Sequence, residues 1–293
     1  MNHVEKIFTQ FIPKSKNYST NEKYRKQNGL PLICMNLAIY QSWLQKKSAG
    51  IKSLAVLIDP DTSKLKHIIQ RLELAEKYQV DYFFLGGSLI LQDSLEHTVQ
   101  LIRKHTNIPI ILFPGNGFQL TEQADALLFM SLISGRNPEY LIGKQVEIAP
   151  KLLTSKLEII STGYVLIDGA SSNTASYMSH TMPIPRDRVD IALATSFAGQ
   201  LMGFQCIYLD AGSGALETVN EIIIQKISKH INLPLIIGGG IKEAETAFQK
   251  YSVGADIVVV GNAIEEDPTL IYSLCKATKE FNRIKPKLET CED

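Results

Sequence analysis

Eight short runs rich in Val, Ile, Leu and Phe recur from Ser53 onward, mostly separated by segments with a helical pattern. Runs that are apolar on both faces are typical of parallel strands covered by helices. Their alternation with helices predicts a β/α architecture. The fifth run can be interrupted at Gly163. The predicted strands are Leu54–Ile58, Tyr82–Leu85, Ile110–Phe113, Ala126–Met130, Glu158–Ile167, Cys206–Leu209, Leu235–Ile237 and Ile257–Val260.

Eight strands in one series favour a closed (β/α)8 TIM-type barrel over an open doubly wound sheet. An open sheet normally carries a dinucleotide fingerprint, G-x-G-x-x-G, after its first strand, and that motif is missing there. The connection between Phe113 and Ala126 reads PGNGFQLTEQAD, which is too short for a full covering helix. We therefore predict a single barrel in which one outer helix is replaced by loop, leaving a flank of the sheet partly uncovered.

The two ends of the chain are predicted to lie outside the barrel. Residues 1–34 are basic and polar without a helical period, and we expect a poorly structured, disordered extension; a basic arm that touches a membrane is the alternative. Met35 is a candidate initiation residue, and residues 36–47 have the spacing of a short amphipathic helix. We assign residues 35–280 to the barrel and 281–293 to a C-terminal tail.

Composition excludes several classes of function. Thirty basic and thirty acidic residues cancel, so bulk charge provides no attraction for nucleic acid. No apolar run approaches the roughly 20 residues of a membrane-spanning helix. The cysteines are far apart, with no C-x-x-C spacing, which fits a reducing cytoplasm and argues against a disulfide framework or a thiolate metal site. They are Cys34, Cys206, Cys275 and Cys291.

Three consecutive predicted strands end in glycine-rich segments. The sixth runs into Tyr208–Gly214, the seventh into Gly238–Gly240 and the eighth into Gly261–Asn262. In β/α barrels the reactive groups gather at the carboxyl ends of the strands. Small residues there let backbone N–H groups converge on one point, as a phosphate monoester requires. We predict a phosphate cup; the alternative for any one of these motifs is a tight turn.

The first two predicted strands end in polar side chains. Asp59 follows the first strand and Ser88 follows the second, so a carboxylate and a hydroxyl should lie on neighbouring parts of the rim. Mg²⁺ takes one or two carboxylates and completes its shell with water and substrate phosphate oxygens. Asp59 and Ser88 suit that arrangement, although Asp59 alone could equally be a helix cap. Asp61, with Thr62 and Ser63, is the more natural cap of the next helix.

Asp210 lies inside the predicted cup, where bound phosphate would repel a carboxylate that had no other task. A base that accepts a proton from a substrate hydroxyl is such a task. The alternatives are a residue that only orients the hydroxyl and one that caps the following turn.

The ordered motifs resemble the geranylgeranylglyceryl phosphate synthase family, also called phosphoglycerol geranylgeranyltransferase. The resemblance runs from about Met35 to Pro268, and its PIPRD segment is most similar to the branch with many bacterial members. It rests on LIDPD, FFLGGSL, TGYVLIDG, SYMSHTMPIPRD, YLDAGSGA, GGGI and VVVGNAIEEDP, in that order.

This resemblance implies a prenyltransferase of phospholipid biosynthesis that uses Mg²⁺. The 3-hydroxyl of sn-glycerol 1-phosphate would attack C1 of a long allylic prenyl diphosphate, typically geranylgeranyl diphosphate, to form an ether and release diphosphate. The metal ligands would be Asp59 and Ser88, and the catalytic acid position would be Asp210. Glycerol phosphate contacts would be Tyr208, Leu209, Asp210, Ala211, Gly212, Ser213, Gly214, Gly239, Gly240, Gly261 and Asn262.

The implied partners are the two substrates and further copies of the chain as a homo-oligomer. Contact with a membrane surface during exchange of lipid substrate and product is left open. The chain departs from the family at one position: Asp210 stands where the family usually has glutamate, one methylene longer. The apolar tail is expected to lie along Gly115–Asp125 and Asp190–Phe204, for which core packing is the alternative. Arg136 is either a bidentate donor to diphosphate or a solvated loop residue.

Two competing functions remain from sequence alone. One is another phosphate-binding barrel, an isomerase or synthase of amino-acid or cofactor metabolism, which would share the cup but work without Mg²⁺ or an allylic diphosphate. The other is a non-catalytic barrel that binds flavin or phosphate. Such a module has no need of a rim carboxylate beside a phosphate cup.

Overall fold

A computed structural model of the chain describes residues 37–61, 67–87, 94–115, 119–172 and 174–284. The predicted extension 1–34 and residues 285–293 of the predicted tail lie outside this part. The described strands are β1 (Ser53–Ile58), β2 (Tyr82–Leu85), β3 (Ile110–Leu112), β4 (Ala126–Leu132), β5 (Glu158–Leu166), β6 (Cys206–Asp210), β7 (Leu235–Gly238) and β8 (Ile257–Val260).

Described helices follow every strand except β3, and a single π-helical turn, Glu139–Gly143, precedes α4. The last helix ends at Ile284, four residues beyond the predicted end of the barrel domain. The helices are α1 (Ala38–Ser48), α2 (Ile68–Tyr78), α3 (Leu95–His105), α4 (Lys144–Leu152), α5 (Thr174–Ser179), α6 (Val189–Leu201), α7 (Glu221–His230), α8 (Ala244–Ser252), α9 (Asn262–Glu266) and α10 (Leu270–Ile284).

The eight strands form a closed parallel barrel in sequence order. Closure is made by β1 and β8, where Ser53 pairs with Ile257 and Val56 with Val260. The predicted (β/α)8 fold is thereby confirmed. The suggested interruption at Gly163 is wrong, since β5 is continuous through it. A Cβ there would lie 2.9 Å from the Ile207 side chain, so this glycine permits close packing.

The apolar core has two layers, as a strand with alternating side chains requires. One cluster fills the barrel and includes Phe84, Leu128 and Tyr208. The other lies between the barrel and its helices and includes Leu209. Successive residues of one strand therefore belong to different layers, and only the inner layer faces the site at the rim.

Helix α1 closes the amino-terminal end of the barrel. Its Trp43 is buried in the inner cluster, with its ring 5.9 Å from that of Tyr82 at the start of β2. The carboxylate of Glu158, the first residue of β5, accepts hydrogen bonds from the N–H groups of Ile39 (2.8 Å) and Tyr40 (2.7 Å). The first N–H groups of a helix have no acceptor within the helix, and the Glu158 carboxylate supplies one. Its negative charge also interacts favourably with the positive end of the helix dipole.

Two connections were predicted from the sequence in some detail: the one between β3 and β4, and the one between β1 and α2. The described part of the β3–β4 connection, residues 113–115 and 119–125, contains no helix, which confirms the predicted replacement of one outer helix by loop. Helix α2 begins at Ile68, with His67 preceding it. Asp61 therefore lies too far upstream to cap this helix, and the predicted cap is wrong.

Among the described helices, none has the length and apolar character needed to cross a bilayer.

Candidate active site at the carboxyl ends of the strands

The loops after β6, β7 and β8 meet around one cavity at the carboxyl end of the barrel. Gly212, Gly239 and Gly240 line it from two of these loops, and Gly261 and Asn262 line it from the third. The Ser213 hydroxyl donates to Asn262 Oδ1 at 3.0 Å, which joins the first loop to the third. The structure thus brings together the three segments of the predicted phosphate cup.

Gly239 shows why glycine is needed in the cup. Its φ is +87°, in the left-handed region that disfavours a side chain. A Cβ there would lie 2.7 Å from both Asp210 Oδ1 and the Gly212 nitrogen, and 2.8 Å from the Gly212 oxygen. The second loop therefore packs directly against the first, with no room for a methyl group between them.

Nine of the eleven predicted glycerol phosphate contacts line this cavity, and two do not. The side chains of Leu209 and Ala211 are buried in the outer layer, because they alternate with Tyr208 and Asp210. Only their backbone is therefore available for contact with substrate, and the predicted contacts of these two residues stay a prediction. The nine that line the cavity are Tyr208, Asp210, Gly212, Ser213, Gly214, Gly239, Gly240, Gly261 and Asn262.

Asp210, the last residue of β6, is held by two hydrogen bonds. Its Oδ2 accepts the Tyr164 hydroxyl at 2.5 Å, and its Oδ1 accepts the Gly212 N–H at 2.7 Å. Burial raises the pKa of the Asp210 carboxyl, and these two bonds oppose that rise. Burial also raises the pKa of Tyr164 well above its usual range, and the nearby Asp210 charge adds to the effect. A buried carboxylate with a raised pKa is a stronger base than an exposed one.

Asp59 lines the same cavity from the end of β1, the strand that pairs with β8. Its carboxylate lies beside Gly87 at the end of β2, where a Cβ would be 3.1 Å from Asp59 Oδ2. Ser88, the second predicted metal ligand, lies outside the described residues. Asp61 lines the cavity too, and its N–H donates to Asp59 Oδ1 at 3.1 Å.

The donor set at this edge suits Mg²⁺. Its described donors are carboxylate oxygens, and no group of three or more His, Cys, Asp or Glu side chains in the described ranges could hold a metal alone. Mg²⁺ requires only one or two carboxylates, because water and substrate phosphate oxygens fill the remaining positions. The residues present therefore fit this ion better than zinc.

A second, apolar cavity opens beside the first. It runs between β4 and α4, at the flank where the outer helix is missing, and is lined by Leu128, Phe129 and Ile148. Gly115, the first residue of the predicted flank Gly115–Asp125, also lines it, together with Phe113 and Pro114 directly before that flank. No residue of the other predicted wall, Asp190–Phe204, lines this cavity, so that assignment stays a prediction. The side opposite β4 is formed by residues of α4.

The two cavities meet at four residues. Gly87, Phe113, Tyr164 and Ala175 line both. The sequence assigned Tyr164 no role. Its place in the predicted fifth strand, next to the strand that contains Tyr208, was the signal that could have pointed to the site. Arg136 lines neither cavity; its guanidinium donates to the carbonyl oxygens of Ile133 (3.2 Å) and Gly135 (3.0 Å) in its own loop. These contacts favour the alternative of a solvated loop residue over a donor to diphosphate.

A closed barrel with glycine-rich loops after its last three strands has the architecture of the phosphate-binding (β/α)8 barrel enzymes. The profile of the PcrB family matches residues 45–279. The chain belongs to this family, and the resemblance drawn from its motifs is confirmed.

Curated relatives and solved structures agree with this assignment. A geranylgeranylglyceryl phosphate synthase of Chitinophaga pinensis is 47% identical over 243 residues, covering 83% of this chain and 96% of the relative. That of Spirosoma linguale is 44% identical over 237 residues, covering 81% and 95%. The crystal structure of (S)-3-O-geranylgeranylglyceryl phosphate synthase from Thermoplasma acidophilum, in complex with sn-glycerol-1-phosphate, superposes with a TM-score of 0.78 at 30% identity, covering 83% and 98%.

Proposed function

We propose that this protein is a prenyltransferase that joins the 3-hydroxyl of sn-glycerol 1-phosphate to C1 of a long allylic diphosphate, with geranylgeranyl diphosphate as the main donor. The observation that carries the proposal is the pair of cavities that share Tyr164 and Phe113. One is lined by glycines and carboxylates, and the other by apolar side chains. A reaction that joins a small phosphate ester to a long hydrocarbon needs both, in contact at one point.

The backbone of the glycine-rich loops would bind the phosphate. N–H groups of the Ser213, Gly240 and Asn262 segments are neutral donors on a fixed frame, so they can bind a dianion without a lysine. Gly239 keeps two of these loops in contact, as its close approach to Gly212 requires. The phosphate end of the substrate would then leave its free hydroxyls directed toward the barrel axis, where Asp210 and Tyr164 lie.

Asp210 would act as the base for the attacking hydroxyl. Its raised pKa increases its ability to take a proton, and its hydrogen bonds to Tyr164 and Gly212 fix its orientation. The attacking oxygen forms a bond to C1 while the bond from C1 to the diphosphate oxygen breaks. General base catalysis of this kind typically contributes ~10²–10⁴-fold in rate.

The apolar cavity would hold the prenyl tail and keep water from C1. At ~0.8 kcal/mol per buried CH₂, a chain of about twenty carbons offers more transfer energy than a complex expresses as affinity. Selection among tails is therefore steric, set by the length of the cavity between β4 and α4. Phe113 and Tyr164 line the passage into it and would shield an electron-poor allylic carbon from solvent.

Asp59, together with Ser88 as implied by the family resemblance, would hold Mg²⁺ at the end of β1. When bound there, the ion would neutralise charge that develops on the departing diphosphate. The cup and Asp59 lie on different parts of the same cavity, so the two phosphate-bearing substrates need not compete for one anion site.

We assign this activity to residues 35–280 and place the enzyme in the cytoplasm, where its free buried thiols Cys206 and Cys275 suit a reducing compartment. We also propose a homo-oligomer. Large apolar side chains are exposed on α4, directly after it and on α6: Val146, Leu153 and Leu201 are 61%, 63% and 73% exposed. Exposed apolar patches are typical of surfaces that associate. Light scattering of the purified protein tests this: a monomer at micromolar concentration contradicts it.

Product analysis tests the proposed reaction. The protein is incubated with sn-glycerol 1-phosphate, Mg²⁺ and a panel of allylic diphosphates from ten to thirty-five carbons, and ether products are identified by mass spectrometry. We expect a prenyl ether whose yield peaks at one chain length. If no member of the panel gives an ether, the enzyme reaction is wrong. A phosphate isomerase, by contrast, would turn over its substrate without Mg²⁺ or prenyl donor.

A further inference from the structure

Tyr164 occupies the junction between the two cavities. It lines both of them, whereas Asp210 lines only the rim cavity. Its ring is fixed by aromatic neighbours, with centroids 5.3 Å from Tyr208 and 5.9 Å from Phe113. Only 9% of the residue is exposed. Under the proposed function, the glycerol hydroxyl and C1 of the prenyl donor have to meet at this junction.

Asp210 is less well placed to reach the junction on its own. Both of its carboxylate oxygens already accept a hydrogen bond, one from Tyr164 and one from the Gly212 N–H. Its side chain is also one methylene, about 1.5 Å, shorter than the glutamate usual in the family that the motifs resemble. Tyr164 lines the junction and its hydroxyl donates to Asp210, so it connects the two, and its oxygen retains lone pairs that can accept a proton.

We propose that Tyr164 is a second catalytic residue, which passes the proton of the attacking glycerol hydroxyl to Asp210; this rests on the proposed function. The O–H bond of the substrate breaks, and its electron pair forms the new bond to C1. The bond from C1 to the diphosphate oxygen breaks, and its pair leaves with diphosphate. The substrate proton moves to Tyr164 Oη, while the proton of Tyr164 moves to Asp210 Oδ2.

Electrostatics favour a relay over ionisation of Tyr164. Burial and the Asp210 charge keep the pKa of Tyr164 well above its usual range, so the hydroxyl is protonated before the reaction and donates to the carboxylate. Because Tyr164 gains one proton while it gives up another, it is neutral before and after the reaction. Only the substrates and Asp210 change charge in this step.

The test first removes the hydroxyl of Tyr164 and then, in the same variant, lengthens the acidic side chain at position 210. In Tyr164→Phe we expect kcat to fall by about 10²-fold with little change in KM for glycerol phosphate, because the lost interaction acts in the transition state. In the double variant Tyr164→Phe/Asp210→Glu the longer acid reaches the substrate hydroxyl directly. We expect it to recover at least about tenfold over Tyr164→Phe.

Tyr251→Phe is the matched control. Tyr251 is a buried tyrosine on α8, away from both cavities, whose hydroxyl donates to the Ser53 carbonyl at 2.9 Å. Its loss removes a buried hydrogen bond of the same kind, and we expect turnover at the wild-type level. Circular dichroism and thermal melting of the two single variants show whether both remain folded.

Each outcome has one reading. Wild-type protein that forms no prenyl ether refutes the proposed function itself. Wild-type activity with full turnover in Tyr164→Phe overturns the relay. Loss in Tyr164→Phe without recovery in the double variant also overturns it, because Tyr164 then only positions Asp210. If Tyr164→Phe fails to fold, the rate of wild-type protein in mixtures of H₂O and D₂O decides: two protons in transit give a curved dependence, and a straight line contradicts the relay.

Discussion

Replacing Gly239 with alanine tests whether close contact between the loops after β6 and β7 shapes the phosphate cup. At φ +87° an alanine costs about 1–2 kcal/mol from its left-handed conformation alone. Its Cβ would also lie 2.7 Å from Asp210 Oδ1 and from the Gly212 nitrogen, so the two loops must move apart. Hydrogen bonds to a charged group contribute about 1.5–3 kcal/mol each. Loss of one such bond to the phosphate weakens binding of sn-glycerol 1-phosphate by about 10- to 150-fold.

Gly203→Ala controls for the conformational cost. Gly203 has φ +88°, and nothing lies within 4 Å of a Cβ placed there. Gly203→Ala should lower Tm by about 2–8 °C, the shift expected for 1–2 kcal/mol in a domain of this size, and Gly239→Ala by at least as much. In isothermal titration calorimetry only Gly239→Ala should lose affinity for sn-glycerol 1-phosphate. Equal affinity in the two variants would refute the claim that contact between these loops shapes the phosphate site.

Three further predictions follow from the same structure. Asp59→Asn, or removal of divalent ions with EDTA, should lower turnover by roughly 10²-fold or more while calorimetry shows unchanged glycerol phosphate binding; retained turnover would contradict the metal assignment. The ratio kcat/KM should fall as pH drops through the pKa of Asp210, because only the ionised carboxylate accepts a proton. Burial raises this pKa, so the acidic limb of the pH profile should lie above the usual aspartate value of about 3.9. In Tyr164→Phe the limb should move to still higher pH, because the hydrogen bond that lowers the pKa of Asp210 is lost. Glu158→Ala should cost about 2 kcal/mol in denaturant unfolding, since the amides at the start of α1 lose their buried acceptor, and a loss below about 0.5 kcal/mol would contradict this role.

The fold was largely predictable because buried parallel strands are short apolar runs. Two of the eight predicted strands have the observed bounds, Tyr82–Leu85 and Ile257–Val260, and the others differ by one or two residues at an end. The missing helix before β4 was predictable from length and glycine content alone. Strand order followed from repetition, since each β/α unit packs beside the previous one.

The cup was predictable because glycines at strand ends are visible in sequence, and closure of the barrel fixes which ends are neighbours. Side-chain direction was harder to infer. Leu209 and Ala211 belong to the right segment, yet alternation along β6 turns them into the outer layer. The sequence order of strands also did not show that Tyr164 reaches Asp210, because that bond joins residues two positions apart in register.

The apolar cavity was only half predictable. The flank at Pro114 and Gly115 was visible as a missing helix, but the opposite wall depends on which helix packs over β4. Helix α6 has the more apolar sequence, and this favoured it in the prediction, although it does not line the apolar cavity. Its apolar residues instead include solvent-exposed Phe197 and Leu201, whereas α4 contributes Gln145 and Ile148 to the cavity. Overall apolarity does not identify the face that a helix presents to a neighbour.

A crystal structure with sn-glycerol 1-phosphate and a non-reactive analogue of the prenyl diphosphate tests the central claim most directly. The account predicts the phosphate within hydrogen-bond distance of backbone N–H groups in the loops after β6, β7 and β8, and the prenyl tail between β4 and α4. It also predicts the 3-hydroxyl of the glycerol phosphate next to Tyr164. A glycerol phosphate whose phosphate is bound at Asp59 instead of at these loops, or a tail lying outside the cavity between β4 and α4, would contradict it.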